Sequence, residues 1–257
     1  MTLPLSLSGI ATDALVIAPC IVLLGYTIFG ATGFGSSVIS VPGLAHFFPL
    51  AFTVPLITTT DAVASMTTAL RYRRLVVWRE IVRLLPAMLI GIASGMTLLL
   101  NLPREPALLA LGVFATSYGA YVILGPPRIE RAPAWLVWPV GLAGGIFSAL
   151  FGTGGPIYVV FLSARIADKS ALRATTALVV AVAIWTRLVL FVALGVLLDR
   201  TLVAMVLLLL PAVALGLWFG NRLHHALSHS GVLRLIAGLL VVNGIALILR
   251  AIEAMRS

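Results

Sequence analysis

The chain has 257 residues, of which 61% are hydrophobic and only 10% charged. Soluble domains carry about a quarter charged residues, so this composition excludes an ordinary water-soluble globule and calls for lipid as solvent. The net charge of +9 lies in short gaps between apolar runs, where cytoplasmic loops keep their positive charge, and that placement argues against nucleic acid as a partner.

The chain opens with 1-MTLPLSLSGIATDAL-15, which has no basic residue ahead of its apolar run, so a cleaved signal peptide is not expected. The single cysteine, Cys20, excludes an intrachain disulfide and reads as a small apolar residue within the first helix. That helix is expected over 12–31, followed by segments at 34–50, 52–70, 81–101 and 106–124. A second set is expected at 134–150, 153–164, 174–198, 201–221 and 232–250. Most approach the roughly 20 residues an α-helix needs to cross the hydrocarbon core. The segments at 34–50 and 153–164 are shorter and read as half-helices or re-entrant pieces.

Two stretches interrupt this apolar pattern, 30-GATGFGSSVISVP-42 and 149-ALFGTGGPIYVVF-161. Within lipid, irregular backbone survives only where it is buried in protein or lines a wet cavity. Gly33-Phe34-Gly35-Ser36-Ser37 and Gly152-Thr153-Gly154-Gly155-Pro156 therefore read as helix breaks, each followed by a helix start. Glycine supplies the dihedral freedom to stop and turn, and Pro156 suits the first turn of a restarting helix. A helix start offers unpaired N–H groups and partial positive charge, which together favour an anion. Two such starts at matching places point to a substrate site near the bilayer midplane. The alternative is close helix packing, which glycine also permits.

Repetition supports a duplicated chain. A shift of 119 places Gly25, Gly33 and Gly35 on Gly144, Gly152 and Gly154, and a shift of 125 places 86-PAMLIGIASG-95 on 211-PAVALGLWFG-220. Both of the latter read P-A-x-x-x-G-x-x-x-G, with the glycines on one helix face where backbones can approach. The halves are expected at 1–127 and 128–257, forming one integral membrane domain. With five passes per half and the N-terminus outside, the basic segments 71–83, 128–131, 165–173 and 222–234 all fall in the cytoplasm. An odd number of passes makes the repeats inverted, whereas fully re-entrant glycine segments would give four spans per half and parallel repeats. The expected fold is thus an all-α polytopic membrane protein of two homologous halves, with about 8–10 membrane segments and a Gly-rich discontinuous helix in each half.

Charge and hydroxyls inside the membrane add candidates. Asp61, preceded by Thr58, Thr59 and Thr60, lies mid-segment, as does Arg187 in the second half. A charge at the bilayer centre costs roughly 2.5–3.5 kcal/mol, so such groups face a cavity or each other. Arg187 can hold an oxyanion through its planar fork, and Asp61 is the candidate proton carrier. An Asp61–Arg187 ion pair locking the two halves is the structural alternative. Thr175 and Thr176 stand near the second-half place of the threonine run and can line a cavity or bond back to their own helix. His224, His225 and His229 read as part of a solvated loop rather than a metal site, because no cysteine or carboxylate stands near them in sequence. His46 is isolated, and Trp135 and Trp138 read as interfacial anchors.

At 30-GATGFGSSVISVPGL-44 and 144-GGIFSALFGTGGPIYVV-160 the sequence resembles the sulfite exporter TauE/SafE family, also described as the 4-toluene sulfonate uptake permease family. The resemblance covers nearly the whole chain. It implies a carrier of small sulfur-containing anions such as sulfite, sulfoacetate or other sulfonates. Ser36-Ser37 stands where the family pattern more often has Gly-Gly, so no particular sulfonate is carried over.

The resulting expectation is a secondary transporter working by alternating access in the inner membrane of a prokaryote. Its substrate-binding set is Gly33, Phe34, Gly35, Ser36, Ser37, Gly152, Thr153, Gly154, Gly155, Pro156, Arg187, Thr59, Thr60, Thr175 and Thr176, with Asp61 as the proton-coupling residue. No cofactor and no metal is expected, and no nucleotide motif is present, so an ion gradient, with the proton as coupling ion, or the substrate's own gradient must drive it. An anion channel, a carrier of another small organic anion, an intramembrane enzyme and a non-transporting subunit are the rival readings.

Overall fold

The computed structural model describes residues 12–32, 35–72, 75–125, 132–223 and 229–256. Within them lie ten α-helices: α1 (Thr12–Thr32), α2 (Ser36–Leu44), α3 (Leu50–Tyr72), α4 (Trp78–Asn101), α5 (Arg104–Leu124), α6 (Val137–Phe151), α7 (Gly155–Ser163), α8 (Lys169–Ala193), α9 (Arg200–Leu223) and α10 (His229–Arg256). One-turn 3₁₀ helices at Ala134–Leu136 and Val196–Leu198 introduce α6 and follow α8.

Among the described residues, six helices are long and apolar enough to cross a membrane, and α1 and α3 add the shorter apolar stretches Ala14–Gly30 and Leu50–Ser65. Large apolar side chains such as Val16, Val189, Leu207 and Val242 are more than half exposed. In water that would be a severe liability, whereas here it is the surface lipid tails cover. The chain is a multi-pass helical membrane protein.

Helix boundaries follow local chemistry. The segment expected from 174 begins at Lys169, because the Asp168 carboxylate accepts from the Ala171 N–H at 2.7 Å and caps the helix start. It stops at Ala193, where Gly195 turns left-handed at φ 72°. The segments expected at 34–50 and 153–164 shrink to nine residues each, roughly 14 Å at 1.5 Å per residue, too short to cross.

Each of these short helices lies back along its predecessor. Gly25 of α1 faces Ser36 and Ser40, and Ile21 faces Gly43, so α2 returns antiparallel along α1. Gly144 of α6 faces Tyr158 while Ser148 faces Gly154, so α7 returns along α6 in the same manner.

The long helices meet through glycine. Hydrocarbon gives no hydrophobic drive for helix association, so close backbone approach and dispersion carry it. Gly91 and Gly95 of α4 lie against Leu142, Gly145 and Ile146 of α6, while Gly216 of α9 lies against Leu23 and Thr27 of α1. The repeated Pro-to-Gly pattern is thus a packing face in both places. A Cβ at Gly95 would stand 2.8 Å from the Ile146 carbonyl oxygen, and one at Gly216 would stand 2.7 Å from that of Leu23. In both pairs the contacts advance together along the two helices, which therefore run parallel. Helices α5 and α10 run in opposite senses, with Gly112 against Gly244 and Ile248 and Gly119 against Ala237 and Val241. Helix α3 packs on α8.

Candidate functional site

Both returning hairpins bring their turns to one place. The turn before α2 depends on Gly35, whose φ of 101° only glycine adopts readily. The turn after α6 depends on Gly152, left-handed at φ 72°, whose N–H bonds to the Ser148 carbonyl at 2.9 Å. Neither α2 nor α7 has a side-chain cap at its start, and Pro156 stands in the first turn of α7. Between them is a small cavity of about 20 Å³ lined by Phe29, Gly35, Ser36, Ser37, Val38, Asp61, Gly152, Gly155, Pro156, Val180 and Ile184. That is room for about one water, so this conformation is closed around its centre.

Asp61, 2% exposed, forms the acidic wall. Its Oδ1 accepts from Ser36 Oγ at 2.5 Å and from the Tyr26 hydroxyl at 2.6 Å, and its Oδ2 accepts from Ser37 Oγ at 2.6 Å. The Tyr26 hydroxyl is also 2.7 Å from Thr60 Oγ1, which lies 3.0 Å from the Ile57 carbonyl. Three helices therefore supply hydroxyls to one carboxylate or its immediate partner, and no carboxylate oxygen is left without a donor.

The basic side is built differently. Arg187 of α8 is 1% exposed, and its guanidinium donates at 2.7 Å to the Ser148 carbonyl near the end of α6, where a cation suits the helix dipole. Its Nε has no hydrogen-bond partner among the described residues. The ion pairs among the described residues join Glu80 to Arg83 and Arg165, so Asp61 and Arg187 sense each other's charge without forming a direct pair. Ser37 and Gly152 separate them. A Cβ on Gly152 would stand 2.9 Å from Ser37 Cβ, 3.0 Å from Ser37 Oγ and 3.3 Å from an Arg187 terminal nitrogen. Among the described residues, buried hydroxyls without partners also occur in both halves, on Ser40, Thr53, Thr58 and Thr116 and on Thr153, Tyr158 and Thr176.

Of the residues expected at a binding site, Gly35, Ser36, Ser37, Gly152, Gly155, Pro156 and Asp61 line the cavity, and Arg187 stands directly behind Gly152. Thr153 and Gly154 are buried in the same turn. Thr59 instead bonds back to the Pro55 carbonyl at 2.8 Å, and Thr60 supports Tyr26. Thr175 accepts from the Val77 N–H at 3.0 Å and ties α8 to the start of α4, while Thr176 is buried with no partner among the described residues. Gly33, Phe34, His224 and His225 lie outside the described residues, as does the His229 side chain. Sequence reasoning missed Tyr26 and Tyr158. The available signal was a tyrosine inside an otherwise apolar run, where the buried hydroxyl must find a polar partner.

A second polar cluster lies where α7 ends. Arg165 grips Glu80 of α4 through two bonds of 2.7 and 3.1 Å and donates to the Ala132 carbonyl at 2.8 Å. The bonded carboxylate raises the Arg165 pKa above the usual arginine value.

Comparison with known proteins places this architecture. The model of the sulfite exporter TauE/SafE family matches residues 17–247. A relative in Comamonas testosteroni described as "Probable inner membrane transporter protein TsaS" is 29% identical over 193 residues, covering 73% of this chain and 79% of the relative. No solved structure matches the chain. The chain belongs to the sulfite exporter TauE/SafE family.

Proposed function

We propose that this TauE/SafE family member is a secondary transporter that carries small sulfur-containing anions, sulfite or organosulfonates, by alternating access. The observation that carries this reading is Arg187, a fully buried cation with no ion-pair partner and no partner for its Nε among the described residues, set behind the glycine turn that faces two uncapped helix starts. A buried guanidinium without a direct ion pair is costly, and an oxyanion offers it a contact charge and acceptors at once. Backbone N–H groups at the starts of α2 and α7 add to the attraction. The family and the relative named as an inner membrane transporter support the transport reading and an inner-membrane location in a prokaryote.

The halves 1–127 and 128–257 are read as inverted repeats, each with a discontinuous helix. Supporting this, α5 and α10, the fifth helix of each half, run in opposite senses. The pairings α1 with α9 and α6 with α4 are also equivalent under exchange of the halves. The closed centre suits a state between outward and inward opening, with one half rocking against the other. Gly35, Ser36, Ser37, Gly152, Gly155, Pro156 and Arg187 are the proposed substrate contacts, and the proton, carried by Asp61, is the proposed coupling ion.

Purified protein in liposomes loaded with unlabelled sulfite, methanesulfonate or sulfoacetate is expected to accumulate the labelled anion transiently by counterflow. Large unitary anion currents without counterflow would instead establish a channel. Counterflow with simple carboxylates and none with the sulfur anions would transfer the reading to another organic anion.

A further inference from the structure

Ser37 stands between the acidic and basic walls, and its single hydroxyl proton has two possible destinations. In the observed arrangement it points to Asp61 Oδ2 at 2.6 Å. On its other side are Gly152 and the Arg187 guanidinium. The ionisable side chains that interact with Asp61 are Tyr26 from α1 and Arg187 from α8, while α2 contributes only the hydroxyls of Ser36 and Ser37. With Asp61 ionised and Arg187 protonated, the centre is formally neutral and every hydroxyl facing Asp61 donates to it. An entering anion would then leave the centre with a net negative charge and would meet a Ser37 hydroxyl already committed to Asp61.

Resting on the transport reading above, we propose that Ser37 is the coupling switch, making one proton on Asp61 the condition for binding one anionic charge. When Asp61 takes up a proton from water, its new O–H donates to Ser37 Oγ, a role reversal that a hydroxyl allows because it both donates and accepts. The Ser37 proton turns away from Asp61 and donates to an oxygen of the anion beside Arg187. No covalent bond of the substrate changes, and the proton balance closes: one proton enters with one anion charge, and the site returns to neutrality. Loss of the proton re-engages Ser37 with the carboxylate and restores the negative charge, so the anion leaves with the proton. Glycine at this position would keep the Asp61 charge effect but lose the switched donor.

The test is anion binding by the full-length protein in detergent, using sulfite, methanesulfonate and sulfoacetate, by calorimetry between about pH 5 and about pH 8. Methanesulfonate carries the pH analysis if it binds, since it does not titrate in that window; otherwise sulfoacetate or sulfite does, after correction for the anion's own titration. Affinity is expected to fall about tenfold per pH unit above the Asp61 transition, the linkage slope for one proton. Asp61→Asn is expected to bind with the low-pH affinity of the wild type at every pH. Ser37→Ala is expected to weaken binding about tenfold at low pH, the loss of one hydrogen bond to a charged group, with little change at high pH, so that its pH response shrinks. A retained slope in Asp61→Asn, or a Ser37→Ala loss equal at all pH values, overturns the proposal. A wild-type affinity independent of pH overturns it and leaves the transport reading standing. Failure of all three anions to bind at any pH overturns both.

Discussion

The two hairpin centres share a backbone plan and differ in their polar balance. Around Asp61, hydroxyls from α1 and α2 satisfy the carboxylate completely. Around Arg187, a buried guanidinium nitrogen and the hydroxyls of Thr153 and Tyr158 have no partner among the described residues. Buried polar groups are normally hydrogen-bonded, and each exception asks for an explanation. The contrast teaches that the Asp61 carboxylate is complete as it stands, whereas the Arg187 guanidinium is short of acceptors. A proton suits the first and an oxyanion the second.

Breaking the basic side should have the largest effect. Arg187→Gln is expected to weaken anion binding about 10- to 100-fold, from losing hydrogen bonds to a charged group worth about 1.5–3 kcal/mol, while helix content by circular dichroism stays unchanged. Unchanged affinity would leave Arg187 only its contact with the Ser148 carbonyl. The two turns offer the next comparison. Both Gly152→Ala and Gly35→Ala incur roughly 1–2 kcal/mol of left-handed backbone strain. At Gly152 the new methyl also meets Ser37 within 3.0 Å, whereas at Gly35 its nearest neighbour is Ile28 at 3.9 Å. Gly152→Ala should therefore lower the unfolding temperature more. Equal shifts would mean that the crowding between the hairpins relaxes without cost.

A tyrosine pair sharpens the contrast. Tyr26→Phe removes a donor to Asp61 and is expected to cost about 1–2 kcal/mol of stability. Tyr158→Phe removes a hydroxyl without a partner and should cost about 0–0.5 kcal/mol, as compared by thermal unfolding without ligand. The smallest difference is expected at the returning ends of the short helices. Arg165→Ala breaks a bidentate contact with the largely buried Glu80 and should cost about 1 kcal/mol. Arg250→Ala removes only an exposed donor to the His46 carbonyl and should fall within about 0.5 kcal/mol of wild type.

Much of the architecture was legible in one dimension. Apolar runs predicted the helices, and the glycine clusters predicted where α1 gives way to α2 and α6 to α7. The P-A-x-x-x-G-x-x-x-G repeat marked two packing faces, now seen in the pairs α4 with α6 and α9 with α1. Less legible was which threonines turn inward. Thr59, Thr60, Thr175 and Thr176 have the same chemistry, yet one bonds back to its helix, one supports Tyr26, one accepts from the Val77 N–H ahead of α4 and one has no partner among the described residues. That outcome depends on helix rotation, which a uniformly apolar sequence records poorly because little amphipathic contrast fixes the inward face.

The sequence by itself determined that the chain lives in lipid, where two helices break at glycine and where charge enters the membrane. Those features are local, set by hydropathy over runs of about 20 residues and by the dihedral demands of glycine and proline. Only the tertiary structure decided that the short helices fold back, that Asp61 is satisfied by Tyr26, Ser36 and Ser37, and that Ser37 separates it from Arg187. These relations join residues from 24 to 35 positions apart and, for the Ser37–Gly152 contact, join opposite halves of the chain. They arise from helices brought together through backbone contact at glycine, and no local pattern encodes which side chains that contact makes neighbours.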